Sequence, residues 1–403
     1  MKHSLSRPIK AGILSTVMVV STLMLLAVAA LFSLWNIDSF IFARTQYEKA
    51  QRNDIESAYV IYSTHPECFT EETTPLTIFP DRPRSKVLIE REPWGLYERA
   101  SVIIEATKTI STRIMGARIP SKEGCGFFHP ENLRSVTLSG NTNILTEAHL
   151  PKNGFVYGQM NTEFFCGEKV PSDRMKPAGN VFPTPLAEIT ETLDSMFSLQ
   201  PAAPIPQEHL SVAFYGDHPF VFQASEQMSH CGLAGKIVVV AEKLEIDSTC
   251  QIEDIVVICS NLVIKKGFEG SLQAFARDTV CIEPEVHLYY PSGIYAEKLV
   301  EISDHSIIEG YIAVNQKNRQ EITEPGYLSS CKSLVRGLVY VNGNAHLQGI
   351  VSGSVFVKEA VHYTPNGYYR GILHDFTLLE NKDVTYPLLL DNGKRREIKW
   401  VKQ

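Results

Sequence analysis

The N-terminus of the chain carries an uncharged apolar run. Ala11 to Trp35 contains no Asp, Glu, Lys or Arg over 25 residues. At about 1.5 Å per residue, a helix of this length crosses a hydrocarbon layer about 30 Å thick. The residues that precede the run are basic at Lys2, Arg7 and Lys10. The positive-inside rule therefore places leader 1–10 in the cytoplasm and the bulk of the chain outside. The alternative is a signal peptide cleaved near Ala27-Val28-Ala29, but the run is longer than a normal signal core.

The apolar helix is predicted to continue beyond the membrane. Residues 37–62 contain no Pro or Gly, and apolar residues recur at nearly helical spacing. They are Ile37, Phe40, Ile41, Tyr47, Ile55, Ala58, Tyr59 and Tyr62. His65-Pro66 ends the pattern, because the residue before proline is driven out of the helical region. We expect one extended helix, with a transmembrane part (11–35) and a helical stalk (36–64).

A β-rich subdomain (65–133) is predicted to follow the stalk. Residues 86–118 are rich in β-branched side chains and are interrupted by Pro93 and Gly95. This composition is typical of a small antiparallel β meander. The segment offers no recognisable chemistry.

A six-residue period dominates the rest of the chain. From residue 238 to residue 282, each step of six contributes two positions, separated by one residue, and 15 of these 16 positions are apolar. The pairs are Val238/Val240, Leu244/Ile246, Cys250/Ile252, Val256/Ile258, Leu262/Ile264, Phe268/Gly270, Ala274/Ala276 and Val280/Ile282. An amphipathic helix has a period near 3.6 and cannot keep this pattern. Three six-residue sides make a coil of about 18 residues, so the pattern predicts a mainly β fold built on a three-sided parallel β-solenoid.

The same register extends in both directions. Glycines precede strands at Gly310, Gly337, Gly353 and Gly371, where corners need permissive backbone angles. Earlier pairs, such as Val136 with Leu138, place the first solenoid turns at 134–159. An insertion with a short helix (160–230) would then interrupt the solenoid before its main part (231–379). The tail (380–403) contains Pro387 and the basic run Lys394-Arg395-Arg396, which are unsuited to extending the stack, and we expect it to cap the solenoid.

An outward column of apolar residues is expected on one face of the solenoid. It comprises Val239, Val257, Phe275, Tyr295 and Ala313. Such a stripe marks a surface over which something packs. One interpretation is that the chain covers it with the predicted helix Leu186 to Leu199; the other is that it binds a partner or a second copy.

The N-terminal segment resembles type IV pilins and pseudopilins. The shared features are a short basic leader, Gly12, a long apolar helix and a β-rich body. This resemblance implies processing between Gly12 and Ile13 and incorporation into a filament or secretion system. Pilins usually carry a Glu five residues after the cleavage Gly, whereas this chain has Val17.

The C-terminal repeats resemble those of bactofilins, whose short β-helices polymerise end to end. The resemblance rests on glycine-led turns such as Gly337 to Asn344 and Gly353 to Val357. Bactofilins mostly lack a long extracytoplasmic region, which this chain has. Left-handed hexapeptide-repeat acyltransferases share the period, but they favour a Gly after the inward aliphatic residue, which this chain mostly lacks.

Composition and charge restrict the function further. The chain has 403 residues, a net charge of −7 and 44% hydrophobic residues, which excludes wholesale disorder and offers no basic surface for nucleic acid. Its eight cysteines show no CxxC pair and no metal-ligand rhythm with histidine. No N-x-[ST] sequon is present, which favours a bacterial envelope over a eukaryotic lumen. No cofactor or metal site is predicted.

Catalysis is not expected, although some parallel β-helices are polysaccharide lyases or hydrolases. The charged candidates are Asp254, Lys265, Lys266, Arg277, Asp278 and His287. They are scattered singly among corners and form no set on one face. The prediction is therefore a non-enzymatic, single-pass envelope protein with a structural or adhesive role. The alternatives are a minor pilin-like subunit or a polysaccharide-active enzyme. Partners would be the membrane and either other proteins or further copies of this chain.

Overall fold

The chain is mainly β, with one long N-terminal helix. The computed structural model describes residues 11–69, 73–79, 86–121, 124, 126–160, 162–205, 209–216, 218–316, 321–391 and 393–400; the leader 1–10 and Cys125 lie outside these ranges. Strands account for 48% and helices for 19%, and the parallel β-solenoid has about 12 turns of about 19 residues. The predicted fold class is confirmed.

The first helix, α1, spans Ala11–Thr64 without a break. A short 3-10 helix, Pro66–Cys68, follows it, as the His65-Pro66 pair predicts. The helix is long and apolar enough to cross a membrane, and none of its most apolar window is buried in the protein. Towards its C-terminal end, Ile55, Ala58, Tyr59 and Tyr62 are buried. Their spacing places them on one face of the helix.

A five-stranded antiparallel sheet, the meander sheet, receives this buried face. Its strands, in spatial order, are Thr73–Thr77, Lys86–Trp94, Tyr97–Ile104, Thr109–Ala117 and Arg395–Trp400. The three central strands match the predicted meander. The fifth comes from the tail, where Arg395 pairs with Ala117 and Trp400 with Arg113. The tail thus extends the meander sheet, whereas the sequence predicted a cap on the solenoid.

The meander sheet is apolar on both faces. Val87, Val102 and Met115 pack against the buried face of α1. Tyr97 and Ile114 instead pack against the outside of the solenoid. Because successive residues of a strand point to opposite faces, one sheet joins the helix to the solenoid, and the molecule has three layers.

The solenoid is built from two separate stretches of chain. The first stretch forms the N-terminal coils, with strands Phe127–Phe128, Val136–Ser139, Asn143–Ile144, Ala148–Leu150, Phe155–Tyr157 and Met175–Pro177. A small hairpin, Gln159–Met160 with Glu163–Phe164, and a 3-10 turn, Ser172–Arg174, interrupt them. The second stretch forms the main coils, with strands Ala203–Pro204, Leu210–Val212, Phe220–Gln223, Gln227–Met228, Gly232–Gly235, Ile237–Val240, Lys243–Ile246, Gln251–Ile264, Glu269–Ile282, His287–Ala296, Leu299–Ile302, Ile307–Asn315, Tyr327–Ser329, Leu334–His346, Gly349–Thr364, Ile372–His374 and Phe376–Leu379. Gly367–Arg370 forms a hairpin with Gly349–Thr364.

The N-terminal coils do not precede the main coils in space. Val355 pairs in parallel with Phe127, Leu373 with Leu138, and Leu378 with Ile144. These three pairings lie on three separate strands of the last main coil. The coils that come first in the sequence therefore stack after the last one. We call this junction the seam. The main coils also begin near residue 203, inside the segment predicted to be an insertion.

A connecting segment, 178–202, leads from the N-terminal coils at one end of the stack to the start of the main coils at the other. It carries the second helix, α2, at Ala187–Phe197. Leu193 is buried against the solenoid. The Arg277 guanidinium donates a hydrogen bond to the carbonyl of Phe197 at 2.8 Å. The connecting segment is thereby held against the outside of the solenoid.

A buried polar contact docks the meander sheet on the solenoid. The amide of Gln273 donates to the carbonyl of Trp94 at 2.9 Å, and its oxygen accepts from the backbone N–H of Leu96 at 3.0 Å and the hydroxyl of Tyr311 at 2.9 Å. A Cβ on Gly95, whose φ is +65°, would lie 2.1 Å from Oε1 of Gln273. Only glycine therefore allows this turn so close an approach.

Candidate metal centre

The outside of the solenoid carries a continuous apolar column, which we call the outer stripe. Its members pair in consecutive coils: Val240, Ile258, Phe275, Tyr295, Ala313, Tyr340, Phe356 and Phe128. Three of the five residues expected on this face, Phe275, Tyr295 and Ala313, lie in it. Each is at most 1% exposed.

The other two expected residues, Val239 and Val257, point inward and belong to the solenoid core. Val239 pairs with Val257, but Val257 pairs with Ala274, one residue short of an 18-residue repeat. An irregularity between Ile252 and Ile255 shifts the register. Because inward and outward positions alternate, a shift of one residue exchanges the two faces.

The chain itself covers the outer stripe. The Phe197 ring lies 6.4 Å from that of Tyr295. The Phe182 ring lies 5.3 Å from that of Tyr340, whose hydroxyl donates to the carbonyl of Pro183 at 3.0 Å. This is the first of the two interpretations of the stripe: α2 and its flanks bury it. Phe275, Tyr295 and Ala313 are therefore not available as a partner-binding face.

The charged residues considered for catalysis each have a separate partner. Asp254 accepts from the Lys399 ammonium at 2.7 Å, and Asp278 pairs with Lys298. The remaining contacts are Lys265 with Glu245 and Glu283, Lys266 with Glu285, Arg277 with the Phe197 carbonyl, and His287 with Glu309. The Lys265, Lys266, Asp278 and His287 contacts join neighbouring coils, whereas Asp254 and Arg277 hold the tail strand and the connecting segment.

The suggested processing site lies at the start of α1. Gly12 is in the first turn, and the side chain of Ile13 is 58% exposed. Cleavage of the peptide bond between Gly12 and Ile13 stays a prediction.

Three histidines, which we call the histidine column, stack near the seam. The ring centroids of His346 and His362 are 4.8 Å apart, and those of His362 and His374 are 5.1 Å apart. Burial is the main cause that lowers the pKa of His346. Burial, with smaller contributions from the other two histidines, lowers the pKa of His362 to about 4. At neutral pH, His362 is therefore an uncharged imidazole.

His374 faces two carboxylates from different parts of the chain. Its Nε2 lies 3.5 Å from Oε2 of Glu163 and 3.5 Å from Oδ2 of Asp375. Its Nδ1 lies 3.1 Å from the hydroxyl of Ser139. Glu163 and Ser139 belong to the N-terminal coils, whereas His374 and Asp375 belong to the main coils. The donor atoms of Glu163, His374 and Asp375 all lie within 4.8 Å of one another.

Sequence reasoning missed this group because its members are remote in the chain. Glu163 and His374 become neighbours only through the seam. His346 and His362 are 16 residues apart, the same spacing that separates the paired residues Val339 and Val355. A coil length of 16 residues between these two coils, had it been known, would have predicted that His346 and His362 stack.

Two of the cysteines also lie close together. The sulfur atoms of Cys231 and Cys250 are 3.5 Å apart, and both side chains are buried in the solenoid core. They occupy equivalent places in adjacent coils, because the following residues, Gly232 and Gln251, are paired. The sequence did not indicate this pairing.

Comparison of the chain with protein-family models, curated proteins and solved structures gives no match.

Replacement of Phe275 by alanine tests the buried state of the outer stripe. We expect a loss of about 3–5 kcal/mol in the free energy of unfolding, since the ring fills a packed interface and leaves a cavity. Urea denaturation of the detergent-solubilised chain measures it. Phe164→Ala, at a ring that is 69% exposed, is the control and should change stability by less than about 0.5 kcal/mol. Equal effects of the two substitutions would contradict the burial of Phe275.

The histidine column predicts acid sensitivity. In the unfolded chain His362 protonates near its ordinary pKa of about 6.5, but in the folded chain only near 4. Between these values protons bind preferentially to the unfolded state, so stability falls as the pH is lowered through this window. We expect His362→Gln to reduce the loss between pH 7 and pH 5 by on the order of 2 kcal/mol. Urea denaturation at both pH values measures it, with the exposed His65→Gln as control. Identical slopes for both variants would contradict it.

Proposed function

We propose that the protein is a membrane-anchored, extracytoplasmic structural protein whose solenoid is a rigid arm. The observation that supports this proposal is that α1 has an exposed apolar half and a half that is buried in the folded body. Apolar side chains from Ile13 to Phe42 are exposed, with values such as 58% and 65%. Tyr59 and Tyr62 are buried in the folded body. Exposed apolar surface of this extent needs lipid or another apolar partner.

The attachment of the stalk supports a role in bearing load. The Arg113 guanidinium pairs with Glu56 of α1 and with Glu397 of the tail strand at 2.7 Å. The hydroxyl of Tyr62 bonds to Glu98, which also pairs with Arg395 at 2.8 Å. Glu98 and Arg395 are both buried, and Arg113 is buried between the partly exposed Glu56 and Glu397. Removal of one partner from a buried ion pair is strongly destabilising. They favour a stalk that is fixed to the body and does not swivel.

The proposed role is non-enzymatic, either structural or adhesive, at a bacterial envelope. The candidate catalytic residues engage separate partners, as described above, and this supports the absence of a shared active site among them. The basic leader and the missing glycosylation sequons support an orientation with the body outside a bacterial cell.

Two charges placed in the apolar half of α1 test the anchor. Leu23→Lys with Leu26→Lys costs about 2.5–3.5 kcal/mol per charge at the centre of a membrane helix. We expect the wild-type chain to stay in the membrane pellet after carbonate extraction and the double variant to leave it. Val60→Lys, at an exposed position of the stalk, is the control and should behave like wild type. A wild-type chain that washes out at high pH would contradict the anchor.

A second candidate function is a minor pilin-like subunit. The specific observation in its favour is that the C-terminal part of α1 packs on an antiparallel meander sheet. This arrangement is what the resemblance of the N-terminal segment to type IV pilins implies. Under this proposal, the apolar half of α1 would pass from the membrane into a filament core.

The N-terminus of the mature protein separates the two candidates. A pilin-like subunit should begin at Ile13 when isolated from its own host, because the leader is removed after Gly12. A Gly12→Asp variant should then retain Met1. Mass spectrometry of the N-terminal peptide reads both outcomes. An intact Met1 in the wild-type protein contradicts the pilin-like function and leaves the simple anchor.

A further inference from the structure

We propose that Glu163, His374 and Asp375 bind a divalent cation of the zinc class and that this cation locks the seam of the solenoid. The site is separate from the membrane anchor and does not depend on the function proposed above. It joins the N-terminal coils to the main coils at the seam, where two neighbouring coils come from distant parts of the chain.

The two distances from His374 to the carboxylates suit zinc, and the two carboxylate donors lie within 4.8 Å of each other. Zinc binds imidazole nitrogen and carboxylate oxygen at about 2.0–2.2 Å, so tetrahedral ligands lie about 3.4 Å from one another. Nε2 of His374 is 3.5 Å from one oxygen of Glu163 and 3.5 Å from one oxygen of Asp375. Three protein ligands with a fourth position for water is a common zinc arrangement.

The surrounding groups orient two of the three ligands. Ser139 lies within hydrogen-bonding distance of Nδ1 of His374, which aims Nε2 at the carboxylates. The backbone N–H of Asn141 donates to Oδ1 of Asp375 at 2.9 Å, and the other oxygen, Oδ2, faces His374. A hydrogen bond to the non-ligating atom of each ligand is typical of built metal sites. Both outer groups come from the N-terminal coils, so they too cross the seam.

The burial of His374 and the charge of the group favour a cation. His374 is only 7% exposed, although it lies next to two carboxylates. Two carboxylates and one imidazole carry a formal charge of −2 when the imidazole is neutral. A divalent cation neutralises this charge and satisfies all three donors at once. A proton on His374 would balance only half of it.

The consequence of the site is mechanical. Glu163 is in the hairpin of the N-terminal coils, and His374 and Asp375 are in the last main coil. Successive main coils follow one another directly in the chain, whereas Glu163 and His374, which meet across the seam, are 211 residues apart (374 − 163). This separation raises the entropic cost of closing the seam. A cation held from both sides stabilises the closed seam relative to an open one.

Zinc binding to the detergent-solubilised full chain tests the proposal. Equilibrium dialysis against micromolar zinc should retain one zinc per chain. Glu163→Gln should weaken zinc binding at least tenfold. Its side chain is 62% exposed, so the fold should survive, and circular dichroism verifies this. His149→Ala is the matched control, because His149 pairs with Glu147 at 3.0 Å on the same coils but lies outside the proposed site.

Thermal unfolding gives a second readout. Zinc at a fixed saturating concentration should raise the melting temperature of the wild-type chain and of His149→Ala by about 5 °C, and that of Glu163→Gln by a clearly smaller amount. Cobalt in place of zinc should show the visible absorption of a tetrahedral complex, absent in His374→Ala. No zinc retention, equal retention by wild type and Glu163→Gln, or preference for calcium over zinc would each overturn the proposal.

Discussion

The structure depends on the need of each coil of a parallel solenoid for neighbouring coils on which to stack. A coil of about 19 residues cannot bury its apolar residues alone and gains stability only from its neighbours. The last main coil would expose a complete edge of unpaired backbone groups, which is a template for aggregation. Pairing of Val355 with Phe127 and of Leu378 with Ile144 covers this edge. The chain therefore terminates one end of its own stack with a segment made early in the sequence.

That solution determines the rest of the topology. Once the N-terminal coils occupy the far end, the chain must return along the whole stack before the main coils can begin. The connecting segment makes this return on the outside, and its path is apolar. Tyr340 and Phe356 in the coils face Phe182 and Leu193 in the segment within one hydrophobic cluster. The seam requires this return path, and the outer stripe is the apolar surface on which the returning segment packs.

Sequence alone predicted what is local and periodic. The six-residue period gave the solenoid, and His65-Pro66 gave the end of α1. Two kinds of feature were not accessible. The first is a local irregularity: the bulge between Ile252 and Ile255 shifts the register by one residue and turns Val257 inward, with no Pro or Gly to mark it. The second is non-local pairing. The seam, the tail strand and the Glu163–His374 contact join segments more than 200 residues apart, and a periodicity does not state which coil lies beside which.

The solenoid is inserted between two neighbouring strands of the meander sheet. Arg395 pairs with Ala117, so the fourth and fifth strands of the meander sheet are neighbours. The chain between these two strands, which includes the whole solenoid, therefore begins and ends at adjacent positions of the sheet. The helix and meander sheet form a module to which the solenoid is added between its fourth and fifth strands. Insertions are tolerated where the two connections are close in space. Here the inserted part also supplies packing, because Tyr97 and Ile114 are covered by the solenoid. The sheet would expose this apolar face without it, so the helix with its meander sheet and the solenoid stabilise each other.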